Sequence, residues 1–384
     1  MVIQSKLRCH VDSSPNLEGL MAINQGRSTT ATFLASALVL VSFTVADATF
    51  AQQVSDVVEA SNPLVLKSRG SLIIGGESVA QTPEQLSSII QTPPAEGGHV
   101  TINQMYVDFM IPQDVKGAPV VMVHGATLSG KTYDTTPDGR MGWFEYFVRQ
   151  GYPTYVADQA SRARSGMDIS IYNDVRNGKR PPRELPNAFR ISQEDGLTQF
   201  RIGVRNGAPF DNTQFPVNAL NKLAAQSVPD FNATLPQPNP TYAELAELSK
   251  QLGGAVVLGH SEAGLFPLHA ALANPVGISK MILVEPGTCH EIPWNSAQME
   301  AFTKIPLLVI FGDHLDAQSA VEGFSWRTAY EDCVSFVSEI NKVGGKATML
   351  HLPESGLVGN SHLLMMEKNN LAIADLLIDW IAKN

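Results

Sequence analysis

Residues 255–264, AVVLGHSEAG, constrain this chain more than any other stretch. A β-branched run leads into a turn of small residues, and a helical pattern, LFPLHAALA, follows until Asn274-Pro275 stops it. Strand and helix can pass closely only because Gly259 and Ala263 carry little or no side chain. The residue at the tip is Ser261. A hydroxyl is a weak nucleophile, so an attacking serine must protrude from a strained turn toward a base, and this shape supplies that. A motif of five residues also recurs by chance, and the alternative is an ordinary surface serine at a strand end.

The context of the turn decides between these. β-rich apolar runs at 100–111, 119–124, 153–158, 254–260, 278–285, 305–311 and 346–352 alternate with helical stretches at 142–150, 241–252, 327–343 and 363–382. That alternation predicts an α/β fold with a mostly parallel central sheet flanked by helices on both faces. The runs 64–67 and 71–74 add a leading hairpin, and Thr241 with Glu244 reads as a capping box for the helix at 241–252. Nine prolines break the order between 162 and 240, where Tyr172, Phe189, Phe200, Phe210, Phe215 and Phe231 still offer apolar surface to bury. This segment is expected to be a Pro-rich cap insertion over a core built from 52–161 and 241–384.

Residues 31–45 are apolar and uncharged, follow Arg27, and lead into small residues before Gln52, which is the shape of a secretory signal peptide. Residues 1–51 are therefore expected to be a removable leader, and the mature chain to be secreted or periplasmic. A stable membrane span needs about 20 apolar residues. This run stops at Asp47 with no basic flank, so none is expected after cleavage. The formal net charge of -10 repels phosphate backbones and speaks against nucleic acid as a partner. Cys9 leaves with the leader. Cys289 and Cys333 remain in a compartment that permits disulfides and are expected to pair, the alternative being two buried thiols.

A serine nucleophile needs a base, and the chain has nine histidines. His10 goes with the leader, His99 precedes the core strands, His260 points away from its neighbour on the turn, His269 lies on a packed helix, and His351 falls within the last strand. His362 sits in the loop GLVGNSH between that strand and the final helix, where an imidazole can stand above the sheet; His314 is the reserve. For the acid that orients the base, Glu285 ends a strand just before Pro286-Gly287. Asp316 and Asp313 follow the next strand and compete with it, although the position three residues after the strand-ending Gly312 is Leu315. The oxyanion donors are expected at Glu262, after the serine, and at Ala126 in the loop 124–130, with His124 bonding loop carbonyls. His290, Glu291, Asp313 and His314 lack the spacing of a metal motif, so no metal and no cofactor are expected.

The separated motifs HG (124–125), TTPDGRMGW (135–143), DNTQFPV (211–217), LVEPG (283–287), FGDH (311–314), GNSH (359–362) and the final DW resemble the α/β-hydrolase family. More narrowly, they resemble secreted bacterial esterases that use a glutamate as triad acid. The resemblance implies Ser261, Glu285 and His362 as the triad, Ala126 and Glu262 as oxyanion donors, a homodimer, and cysteines placed like Cys289 and Cys333. There is one departure: Ala126 and Thr127 stand where the resembled esterase carries adjacent cysteines. The expected activity is hydrolysis of a small carboxylic ester through an acyl-enzyme. The same triad acting on a lactone, thioester or amide, or a non-catalytic binding protein on the same fold, are the alternatives.

Overall fold

A computed structural model of the chain describes residues 52–87, 95–205, 207–290 and 293–384. The leader at 1–51, Cys9 and His10 with it, and Glu291 lie outside the described residues.

Eight strands form one sheet: β1 (Leu66–Gln81), β2 (Gly98–Pro112), β3 (Val120–Val123), β4 (Thr154–Asp158), β5 (Ala255–His260), β6 (Ile278–Val284), β7 (Leu307–Phe311) and β8 (Ala347–His351). Their spatial order is β1-β2-β4-β3-β5-β6-β7-β8. The β1–β2 and β2–β4 pairs are antiparallel. Every pair from β4–β3 through β7–β8 is parallel. β3, β5 and β7 are buried along their whole length, as continuous apolar runs must be when both faces of a sheet are covered.

The helices are α1 (Pro83–Leu86), α2 (Trp143–Arg149), α3 (Ser170–Arg176), α4 (Gln193–Gln199), α5 (Leu220–Ala225), α6 (Pro240–Gln251), α7 (Phe266–Ala273), α8 (Ser296–Thr303), α9 (Trp326–Lys342) and α10 (Asn370–Lys383). Successive side chains of a strand point to opposite faces, which splits the core in two. Val121, Val257, Leu283 and Val309 face α6, α7, α8 and α9. Met122, Leu258, Ile282 and Leu308 face α2 and α10. Among the described residues no helix is long and apolar enough to cross a membrane.

Three local expectations change. The runs 64–67 and 71–74 are not a hairpin of their own: one long strand, β1, pairs with β2 from Leu66↔Pro112 to Gln81↔Gly98. The cap of α6 is Asn239, whose side chain accepts from the Thr241 N–H at 2.9 Å. Thr241 lies inside the helix and accepts from the Ala160 N–H at 3.0 Å instead. The last helix starts at Asn370 and not near 363, because the residues before it pin the preceding loop. Glu367 accepts from the Ser361 N–H at 2.9 Å, and the Asn360 amide donates to Asn369 at 2.6 Å. Segment 162–240, expected as a cap insertion, contains α3, α4, α5 and the bridges Phe189↔Asp230 and Gly203↔Pro209.

Cys289, after β6, and Cys333, on α9, form a disulfide across a sequence separation of 44 residues. Such a link restricts the unfolded chain, and loop closure of this length is worth up to about 4 kcal/mol. Replacing both cysteines by alanine is expected to lower the free energy of unfolding by about 2–4 kcal/mol in urea titrations. An unchanged transition midpoint would show that the bond does not constrain the unfolded state.

Candidate active site

β5 ends at His260, and the chain turns through a 3-10 segment, Ser261–Leu265, into α7. Ser261 adopts φ 59°. That left-handed region is unfavourable for a side chain and persists only where the surroundings enforce it. Glycines make the enforcement possible: a Cβ on Gly259 would strike the carbonyl oxygen of Ala263, and one on Gly125 would lie 2.6 Å from the Ser261 Cβ. The loop after β3 therefore packs backbone against the serine turn.

The neighbouring strands bring two further candidates to the same edge. Glu285 directly follows β6, is fully buried, and adopts φ 53°. Its Oε2 lies 3.2 Å from Nδ1 of His362. Its Oε1 accepts from the Gly312 N–H at 2.5 Å and from Arg201 Nη2 at 2.6 Å. His362 reaches this point from the loop between β8 and α10. Its N–H donates to the Phe200 carbonyl at 2.8 Å, and its ring lies between Phe200 (5.7 Å) and Trp326 (4.2 Å). The His260 ring, 4.7 Å from that of His362, donates from Nε2 to the His362 carbonyl at 2.9 Å.

Burial pushes the Glu285 carboxyl up, but the Arg201 charge and the bonds from His362 and Arg201 outweigh it and hold the group at about 2. Burial lowers His362 below its ordinary 6.5 and outweighs the opposing pull of Glu285. The ring is therefore neutral at neutral pH. With its proton on Nδ1 it donates to Glu285 and keeps Nε2 free to accept. Burial, the largest influence on it, keeps His260 neutral as well.

Ser261, His362, Ala126 and Glu262 open on one cavity of about 350 Å³, whose wall also includes Phe189, Phe200, Tyr242, Phe266, Phe324 and Trp326. A second hollow of about 350 Å³ beside Asp168 and Arg180 contains none of these four residues. His124 donates from Nδ1 to the Gly125 carbonyl at 3.0 Å and accepts from the Gln159 N–H at 3.2 Å. The Glu262 carboxylate takes a bond from Arg162 at 3.2 Å. Burial and the Asp230 charge push it up, and Arg162 pulls it back.

The competing acids do not reach His362. Asp316 is exposed and pairs with Arg327 at 2.7 Å. Asp313 accepts from the N–H groups of Gly359 and His314 at 2.8 and 2.7 Å. The reserve base His314 stacks on Phe210 in another hollow, outside the Ser261 cavity. His290 bonds Asp332 at 2.7 Å and Glu339 at 3.3 Å. Among the described residues no three His, Cys, Asp or Glu side chains are grouped to hold a metal ion.

No protein-family model matches the chain. A solved structure of a novel bacterial esterase is 44% identical, superposes with a TM-score of 0.78, and aligns over 85% of this chain and 98% of its own. This chain belongs to the bacterial esterases of the α/β-hydrolase fold. A fungal protein described as a probable secreted lipase is 26% identical over 75% of this chain and 88% of its own length. The esterase is thus a hydrolytic enzyme built on the predicted sheet.

The sequence reading of the esterase missed Arg201, which is wholly buried and donates from Nε to the Asp313 carbonyl at 2.8 Å while its guanidinium lies 4.8 Å over Trp326. One faint signal existed, a lone charge within the uncharged run LTQFRIGV. Phe200 and Trp326, which flank the imidazole, were missed as well, as was the contact of His260 with His362.

The depressed Glu285 carboxyl makes stability depend on pH. Its folded value is about 2 against an ordinary 4.5, so its contribution is complete above pH 4.5 and drains away as the pH falls toward 2. Glu285→Gln leaves Arg201 buried without a counter-charge and is expected to lower unfolding free energy at neutral pH by about 3 kcal/mol. Urea titrations across the acid range should also show a flatter profile for the variant between pH 4.5 and 2. Parallel profiles for the two proteins would contradict this assignment of the acid limb.

Proposed function

We propose that this esterase hydrolyses a small carboxylic ester through an acyl-enzyme, with Ser261 as nucleophile, His362 as general base and Glu285 as the acid that orients it. The observation that carries the reading is the 3.2 Å approach of Glu285 to Nδ1 of a histidine that shares its cavity with a serine at φ 59°. In this mechanism His362 Nε2 takes the hydroxyl proton as Ser261 attacks the carbonyl carbon. Glu285 stabilises the imidazolium so formed, and the same proton goes to the departing alcohol. Water then attacks the acyl-enzyme by the same route. The N–H groups of Ala126 and Glu262 receive the oxyanion.

Segment 162–240 acts as a cap, supported by the presence of Phe189, Ile191, Phe200 and Asn232 in the cavity wall. Residues 1–51 act as a secretion leader, supported by their apolar run, by the disulfide and by the description of the fungal relative.

Ser261→Ala is expected to lower kcat on p-nitrophenyl acetate by at least roughly 10³-fold, and a fluorophosphonate should label Ser261 in the unaltered enzyme. Full activity in the variant, or labelling elsewhere, would refute the mechanism. Because the base is depressed, kcat/KM should rise with pH along an acid limb whose midpoint lies below 6.5. A midpoint above that value would mean that another group titrates.

A further inference from the structure

We infer that Arg162 is a positioning residue for the oxyanion hole, aligning the Ala126 donor from behind and occupying the Glu262 side chain, with Asp230 as its anchor. The inference rests on Ala126 and Glu262 being the donors, and it assigns work to a pair that the triad does not use.

Arg162 lies just beyond β4 and is 1% exposed. Its Nη1 donates to the carbonyls of Gly125 and Leu128, both at 3.3 Å. Its Nη2 pairs with Asp230 and reaches the Glu262 carboxylate at 3.2 Å. A peptide unit is planar and trans, so the Gly125 carbonyl and the Ala126 N–H belong to one rigid plate and point in opposite directions. Holding the Gly125 oxygen on the Arg162 side therefore turns the Ala126 N–H to the other side. His124 Nδ1 holds that oxygen too, at 3.0 Å.

Asp230 secures the next residue of the loop. Its Oδ2 accepts from the Thr127 N–H at 2.9 Å, and the Val228 N–H donates to the Thr127 carbonyl at 2.8 Å. Thr127 adopts φ 58°, a conformation that needs such restraint. Asp230 is itself held by paired backbone bonds with Phe189 at 2.8 and 2.9 Å. The Arg162–Asp230 pair thus carries the order of segment 162–240 into the loop that aims the donor.

The same guanidinium accounts for Glu262. A carboxylate on the residue after the nucleophile would oppose the charge developing on the oxyanion if it faced the reacting carbonyl. Arg162 binds that carboxylate and offsets its charge, so that the Glu262 backbone N–H can serve while its side chain is occupied. Only a planar fork can meet two carbonyls with one nitrogen and two carboxylates with the other, so lysine is not an equivalent.

The test compares Arg162→Met, Arg162→Lys and Asp230→Asn with the unaltered enzyme. The measurements are kcat and KM on p-nitrophenyl acetate, and the inhibition constant of a boronic acid that mimics the tetrahedral intermediate. The expected result is a kcat lowered roughly 10²-fold, the loss typical of one oxyanion donor, with KM changed by less than about threefold and boronate affinity falling in step with kcat. If Arg162→Met does not fold, Arg162→Lys and Asp230→Asn decide. Folded variants with unaltered kcat, or with reduced kcat but unaltered boronate affinity, would overturn the inference while fluorophosphonate labelling of Ser261 left the triad standing. An unaltered enzyme that neither turns over esters nor labels at Ser261 would overturn both.

Discussion

A carboxylate taken wholly out of water is tolerated only when charge and hydrogen bonds replace its hydration. Glu285 is such a group, and its partners come from three places: Arg201 from the Pro-rich segment, the Gly312 N–H from the end of β7, and His362 from the loop before α10. None of these can be withdrawn without exposing a charge to a medium that does not solvate it. The docking of segment 162–240 and the position of the imidazole are therefore one problem with one solution. Arg201 secures it further by bonding the Asp313 carbonyl at 2.8 Å and lying over Trp326, whose ring packs on His362.

Backbone strain collects around the same place. Thr127, Arg201, Ser261, Glu285 and His314 all have positive φ, between 53° and 59°. Each is a non-glycine residue in a conformation that local sterics disfavour, and strain of this kind survives where packing over-determines the chain. At Gly312, as at Gly125 and Gly259, the backbones approach too closely for a side chain: a Cβ there would lie 2.6 Å from the Asn360 carbonyl oxygen. Motifs away from this place serve the same end. Arg140 donates to the Glu367 carbonyl at 2.8 Å, Trp143 to that of Asn370 at 2.9 Å, and the Gln214 N–H to that of Gly359 at 2.8 Å. TTPDGRMGW and DNTQFPV thus hold the segment that carries His362.

The core strands were legible because burial on both faces writes itself as consecutive β-branched and apolar residues, as in β3, β5 and β7. The serine turn was legible because its chemistry and its tight geometry both restrict nearby residue types. Boundaries set by side-chain bonds were harder to read. Asn239 displaced Thr241 as a cap, and the bonds of Glu367 and Asn369 with the preceding loop delayed the last helix until Asn370. For Glu285, Asp313 and Asp316 the sequence offered only strand-end position, whereas the structure places the Glu285 carboxylate 3.2 Å from the His362 ring and gives Asp313 and Asp316 other partners.

By itself the sequence determined the order of strands and helices, the serine turn, and the short set of histidines and acids able to work with it. These properties follow from local sterics and from the periodicity of burial, which neighbouring residues encode. Tertiary structure alone decided that Arg201 neutralises Glu285 across 84 positions of chain, that Arg162 meets Glu262 across 100, and that Phe200 and Trp326 flank His362. Long-range pairing of buried charges has no local signature. It depends on which side chains are excluded from water together, and that is known only once the chain has closed around them.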